Sequence, residues 1–167
     1  AASLRGGDAT VEYAEPDRVL HPLFVPADPM YTKQWSLSDA TAGIRAPAAW
    51  DKSSGAGVVV AVIDTGVRPH ADLVANLLPG YDFVADPFVS NDNTARDADA
   101  SDPGDAVGAG YCGAGTPARN SSWHGTHVAG IAAAGTGDGF GVAGLAPSAR
   151  IIPVRVLDAA GRGTSSD

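Results

Sequence analysis

The sequence predicts an α/β protein built on a parallel sheet, and three observations lead there. Val58-Val59-Val60-Ala61-Val62-Ile63 is an unbroken apolar run that stops abruptly at Asp64-Thr65-Gly66. Such a run reads as a buried parallel strand, apolar on both faces, with the carboxylate at its carboxyl end. His124 then opens His124-Gly125-Thr126-His127-Val128-Ala129-Gly130-Ile131-Ala132-Ala133-Ala134, a stretch of small, helix-compatible residues, and a further strand is expected from Ala149 to Val156. Strands alternating with helices imply crossover connections within one sheet.

Taken in order, the first 25 residues differ from the rest. Val11-Glu12-Tyr13-Ala14-Glu15-Pro16-Asp17 alternates like an edge strand and ends at a proline, after which Pro22, Pro26 and Pro29 punctuate an extended connector. Tyr31-Thr32-Lys33-Gln34-Trp35 suggests a packed arm, and Ala46-Pro47-Ala48-Ala49-Trp50-Asp51 a short helix with its proline in the tolerated first turn. The Asp64 strand comes next, then a strand at Gly80-Tyr81-Asp82-Phe83-Val84, a long acidic loop, the His124 helix and the strand from Ala149 to Val156. Glycine and alanine on the His124 helix allow close approach to a sheet but weaken the helix in isolation. A partial sheet of this kind exposes a strand edge, so another piece of polypeptide is expected to cover it.

Composition narrows the function classes. With 167 residues, 44% hydrophobic and 18% charged, the chain is large enough for a modest core. Its 21 glycines suit tight strand-to-helix turns better than a long-helix bundle. A formal charge of −8 argues against nucleic acid, whose phosphates require basic patches. The sequence holds no apolar run of membrane-spanning length, so no membrane partner is expected.

Asp64 and His124 carry the chemistry. A neutral imidazole abstracts a hydroxyl proton efficiently only when its tautomer is fixed and its cationic form is stabilised, and a buried carboxylate on the other ring nitrogen does both. Open parallel sheets gather such groups at the carboxyl ends of their strands, so two positions 60 residues apart in sequence can converge.

Both motifs, and their order, resemble the subtilisin-like serine proteases, or subtilases: Val62-Ile63-Asp64-Thr65-Gly66, then His124-Gly125-Thr126-His127-Val128-Ala129-Gly130. His70-Ala71-Asp72-Leu73, Gly141-Val142-Ala143-Gly144-Leu145-Ala146-Pro147 and Ile152-Pro153-Val154-Arg155-Val156-Leu157 extend the match to roughly positions 28 to 167. The resemblance implies a secreted serine endopeptidase acting on protein or peptide substrates, and residues 26–167 as the N-terminal half of a three-layer catalytic domain around a central parallel sheet. The family's nucleophilic serine lies far downstream in a Gly-Thr-Ser-Met-Ala segment, with an oxyanion-hole asparagine between it and the histidine. Neither segment occurs in this sequence. Ser165, in Gly163-Thr164-Ser165-Ser166-Asp167, comes only 39 positions after His124 and is not read as the nucleophile. The chain alone is therefore expected to be inactive and to need the C-terminal half of the same domain. The alternative is a non-enzymatic calcium-binding or assembly module that pairs with a second chain.

The resemblance also implies that residues 1–25 are the end of an inhibitory propeptide, with a maturation junction between Asp17 and Asp28; an ordinary N-terminal arm is the competing reading. It places a structural Ca2+ on Asp28, Asp72 and Asp138, with Gly135, Phe140 and Val142 completing the shell through loop carbonyls; aspartate replaces the commoner asparagine at position 138. Leu157, Gly161, Arg162 and Gly163 match the loop bordering the cleft, where extended substrate adds as an edge strand, with Leu157 beside His124 and Arg162 outward.

Three features are read from the residues themselves. The loop from Asp82 to Asp105 carries Asp86, Asp92, Asp97, Asp99 and Asp102 among Asn91, Asn93 and Gly104, a density of hard oxygen donors suited to calcium or simply to solvent. His127, three residues after His124 and without the intervening glutamate of the zinc pattern, reads as a packed structural histidine. Cys112, the single cysteine, is either a free or buried thiol or bridged to a cysteine elsewhere.

Overall fold

The structure, a computed structural model, describes residues 24–111 and 113–163. The alternating segment at Val11–Asp17, most of the segment read as a propeptide tail, Cys112 and Ser165 lie outside the described residues. Three parallel strands, β1 (Val59–Asp64), β2 (Tyr81–Asp82) and β3 (Arg150–Arg155), form a sheet in the order β1-β3-β2. Helix α1 (Trp35–Ser38), α2 (Ala46–Trp50) and α3 (Pro87–Ser90) are single turns; α4 (His124–Ala133) is the one substantial helix among the described residues. None of these helices is long and apolar enough to cross a membrane.

β1 and β3 pair in register from Val59 opposite Arg150 to Asp64 opposite Arg155. Helix α4 lies against one face of this pair. Its buried residues Gly125, Ala129 and Ala133 recur every four positions, and the alanines join Val62, Val67, Leu73, Ala149 and Ile151 in the main core. The helix end is closed from outside: Leu145 and Ala146 amides donate to the Ile131 and Ala132 carbonyls, and Asn76 donates to that of Ala133. A smaller core of Tyr31, Leu37, Ala46 and Ala143, with Trp50 against it, anchors the N-terminal arm.

Two expectations need correction. β1 was expected to be buried on both faces, but its burial alternates: Val62 and Asp64 are buried while Val59 is 51% and Ile63 66% exposed. The face opposite α4 therefore carries Val59, Ala61 and Ile63, all exposed, with half-buried Ile152 and Val154 beside the last two in register. The second strand is two residues long instead of five. Leu78 N–H donates to the Ile151 carbonyl and Phe83 N–H to that of Arg155, but between them stands Pro153, which has no N–H to give, so the ladder on that side is interrupted. Asp82 turns its own amide and carbonyl to Asp97 instead.

Arg155 closes the far end of β3. It is 1% exposed, contacts Asp82 at 2.5 Å, and also binds Asp92 and the Ser90 carbonyl. This guanidinium ties the acidic loop to the sheet. Against burial, hydrogen bonds from Ser90 and Thr94 and, to a smaller extent, the Arg155 charge hold the Asp92 carboxyl well below the usual range. Arg155→Leu leaves fully buried Asp82 without its cation, and should lower unfolding stability by about 3–5 kcal/mol in chemical denaturation.

Candidate active site

Asp64 sits at the carboxyl end of β1 and His124 at the first position of α4, and their side chains meet. His124 Nδ1 lies 2.7 Å from Asp64 Oδ2 and 2.9 Å from Oδ1. The Asp64 side chain is 11% exposed and that of His124 61%. Thr65 N–H donates to Asp64 Oδ1 at 2.7 Å, so one carboxylate is held by its own chain neighbour while it receives the imidazole. With Nδ1 engaged, the ring presents its Nε2 edge to the open side, where a proton can be taken from, and later returned to, a reacting group.

The helix start is built for this contact. A Cβ on Gly125 would overlap the Gly66 carbonyl and stand 3.2 Å from Asp64 Oδ1, so only glycine lets the first turn of α4 come this close to β1. Gly66 itself has φ +94°, and a Cβ there would meet the Ala100 carbonyl at 2.6 Å. Gly125 N–H donates to Thr65 Oγ1 at 3.0 Å, which satisfies one of the orphan amides of the helix start, and Thr65 Oγ1 donates in turn to Asp102 Oδ2 at 2.7 Å. Ser122, two residues before the histidine, donates to Asp105 from its amide and, at 3.0 Å, from its hydroxyl. Trp123 adopts φ 51° beneath the Arg68 guanidinium, 4.5 Å from the ring centroid.

Thr65, Gly125, Asp102 and Asp105 are the neighbours that sequence reasoning missed. Asp102 stood out only as one of several loop carboxylates. Its use as a brace depends on a partner 37 positions away, which no local pattern announces. The remaining loop carboxylates are turned onto nearby amides: Asp86 accepts from Phe88, Asp92 from Thr94, Asp97 from Asp99 and Asp99 from Ser101. The loop is a series of self-capped turns, so its oxygens serve backbone donors. His127 is exposed instead of packed, because it lies two positions from Gly125 and so on the side of α4 away from the sheet.

Of the residues matched to the cleft loop, Arg162 and Gly163 line a depression of about 500 Å³ with Val84, Asp86, Val89 and Val156, while Leu157 and Gly161 do not line it. Arg162 is exposed, and the turn is closed by Asp158, which accepts from the Arg162 amide. Leu157 is half-buried against Gly163.

Of the carboxylates expected to bind calcium, Asp72 and Asp138 approach one another beside Gly135. Asp28 and Asp72 are buried, and each uses Oδ2 to accept one amide, from Gly137 and Val142 respectively. Their Oδ1 atoms have no hydrogen-bond partner. The space a Cβ would fill at Gly135 is 2.8 Å from Asp138 Oδ2 and 3.5 Å from Asp72 Oδ1, so two carboxylates face one small gap. Burial pushes the Asp72 carboxyl above its usual range against the lowering effect of the Val142 amide, and the charges of Asp138 and Asp28 add to the rise. Among the described residues no group of three or more His, Cys, Asp or Glu side chains is arranged to hold a metal by itself, so backbone carbonyls would have to contribute.

Comparison with known proteins identifies the family. Residues 55–167 match the family described as the subtilase family. A solved structure of proteases from Pseudoalteromonas arctica PAMC 21717 aligns with a TM-score of 0.80 and 56% identity, over 84% of this chain and 41% of that one. An extracellular protease of Xanthomonas campestris pv. campestris is 50% identical over 160 residues, 96% of this chain and 27% of that protein. An extracellular basic protease of Dichelobacter nodosus is 44% identical over 162 residues, 94% of this chain and 26% of that protein. The chain thus spans about a quarter of the length of these two relatives.

Gly125→Ala should cost about 1–3 kcal/mol in denaturant unfolding, as expected for overpacking, because the new methyl must push α4 away from Gly66.

Proposed function

Because the chain belongs to the subtilase family, we propose that it supplies the aspartate and histidine of a serine endopeptidase active site, and that the serine and the oxyanion donors come from polypeptide beyond this sequence. The observation that carries this reading is the bonding of His124 Nδ1 to a buried carboxylate with the rest of the ring left open. In the complete site His124 takes the proton of the serine hydroxyl as general base and returns it to the leaving amine as general acid; Asp64 holds the tautomer and stabilises the imidazolium between the two steps. The tetrahedral intermediate needs oxyanion donors placed where its charge develops.

The uncovered apolar face of β1 and β3 supports a complementary half. Val59 and Ile63 in strand positions are more than half exposed, and an uncovered apolar sheet face with an open strand edge is an association surface. The loop containing Leu157, Gly161, Arg162 and Gly163 is proposed as one wall of the substrate cleft. Secretion is proposed from the relatives named as extracellular proteases. Residues 1–25 are proposed as an inhibitory propeptide tail.

Asp28, Asp72 and Asp138, with the carbonyls of Gly135, Phe140 and Val142, are proposed as a structural calcium site. The bare Oδ1 atoms of Asp28 and Asp72 are hard donors awaiting a cation, and bound Ca2+ would supply charge neutralisation and link the N-terminal arm to the core.

In the polypeptide that carries the serine, His124→Ala should lower kcat by at least about 10³-fold while leaving the melting temperature within a few degrees; retained turnover would remove the assigned base. Ca2+ should raise the melting temperature, and chelation should lower it. Asp72 is raised in the folded state, so its ionisation costs stability as pH rises through that raised value; binding of Ca2+ to the ionised form offsets the cost. The stabilisation by Ca2+ should accordingly shrink as pH falls toward the carboxylate range, which thermal unfolding at several pH values would reveal.

A further inference from the structure

Asp102 lies in the acidic loop, 22 residues before the general base, and makes no contact with His124 among its hydrogen bonds. It is 6% exposed, and both of its oxygens are engaged: Oδ1 accepts from Gly104 N–H at 2.8 Å and Oδ2 from the Thr65 hydroxyl at 2.7 Å. Thr65, 4% exposed, is the point where the two halves of the catalytic pair meet. Its amide holds Asp64 Oδ1, and its hydroxyl oxygen accepts the N–H of Gly125, the residue next to His124.

A threonine hydroxyl has one proton and two lone pairs, and it rotates to suit its neighbours. An ionised carboxylate can only accept. Asp102 therefore compels the hydroxyl to point its proton away from α4, and a lone pair is left facing the Gly125 amide. We propose that Asp102 is a positioning residue of the protease site: by fixing the Thr65 hydroxyl rotor it pins the first turn of α4 to the end of β1, and so holds His124 on Asp64. This inference rests on the reading of Asp64 and His124 as a catalytic pair.

Three features make the brace specific. Both groups are buried, so water does not replace a lost partner. The bond to a charged acceptor is stronger than one between neutral groups. The loop that carries Asp102 is itself fixed, since the Ala100 carbonyl accepts from Val67 N–H and packs at Gly66, immediately beyond Thr65. A small displacement of α4 is also costly to catalysis, because a proton-transfer pair misplaced by about 1 Å loses on the order of 100-fold in rate.

The test uses the complete protease and five variants, with kcat and KM on a peptide substrate and the downfield proton resonance of the His124 Nδ1–H···Asp64 bond as readouts. Asp102→Ala and Thr65→Val should each lower kcat by about 10- to 100-fold with KM within about twofold, and should broaden the resonance. Thr65→Ser keeps the hydroxyl and should stay within about threefold of the parent, whereas Asp102→Asn has one acceptor oxygen for two donors, Gly104 N–H and the Thr65 hydroxyl, and should fall between the parent and Asp102→Ala. The double variant Thr65→Val/Asp102→Ala should be no slower than the worse single one, since both remove one brace.

Losses that multiply in the double variant, or a Thr65→Ser variant as slow as Thr65→Val, would overturn the brace in favour of independent effects. If Asp102→Ala does not fold, Thr65→Val reads the same contact, and parental kcat with a sharp resonance in that variant overturns the proposal. Parental activity in His124→Ala would instead overturn the catalytic reading itself, which separates the two failures.

Discussion

The closeness of two backbones governs this molecule. The first turn of α4 rests on the carboxyl end of β1 at a separation that excludes side chains, with Gly125 over the Gly66 carbonyl. Every other feature of the site follows from that approach. It puts His124 within reach of Asp64, lets the Gly125 amide find Thr65, and leaves the turn after β1 to be buttressed by the acidic loop at Ala100 and Asp102. The arrangement carries an electrostatic cost, because an imidazolium formed at the first residue of a helix faces the positive end of its dipole. That effect is about 0.3–1 kcal/mol at an exposed helix end, whereas a hydrogen bond to a charged partner contributes about 1.5–3 kcal/mol. Asp64 therefore prevails, and the site needs it buried and close.

Much of the fold was legible because the relevant signals are local. The apolar run ending at Asp64, the small-residue run opened by His124 and the strand near Arg150–Arg155 each declare themselves within a dozen residues. Where the reading failed, the deciding interaction was remote. The strand at Gly80–Val84 was cut short by Pro153, some 70 positions away, which deprives the ladder of a donor. His127 was assigned to the interior although the i, i+4 spacing of Gly125, Ala129 and Ala133 places it on the far side of α4. The exposure of Val59 and Ile63 was not legible in the same way: an apolar residue states a preference for burial without saying which segment provides it.

The site shows the same division. Asp64 and His124 could be named because each sits in a compact motif, and the family resemblance supplied their relation. The supporting residues could not, because the acidic loop looks uniform in sequence and is differentiated only by what its members meet. Asp92 meets Arg155, Asp102 meets Thr65, Asp105 meets Ser122, and the others meet nearby amides. A string of aspartates that suggests one cation site thus resolves into a clamp, two braces and several turns.

That differentiation also separates the buried carboxylates by how their charge is compensated. Six aspartates are buried among the described residues, and burying a carboxylate is tolerable only when its charge is compensated. Asp64 has His124 and the Thr65 amide; Asp82 has Arg155 and the Val84 amide; Asp102 has Thr65 and Gly104; Asp105 has both donors of Ser122, with Arg119 at 3.7 Å. Asp28 and Asp72 break the pattern, for each has a single amide on one oxygen and nothing on the other. They are also mutually repulsive, and Asp138 adds a third charge to Asp72 from across the gap at Gly135. Four buried carboxylates are thus compensated by protein donors, whereas Asp28 and Asp72 each keep one oxygen without a hydrogen-bond partner, and this contrast is what supports the proposed calcium site. The donors are oxygens, the loop is glycine-rich, and the partners span the N-terminal arm and the segment after α4, all of which suits a large, hard divalent ion that joins separate segments.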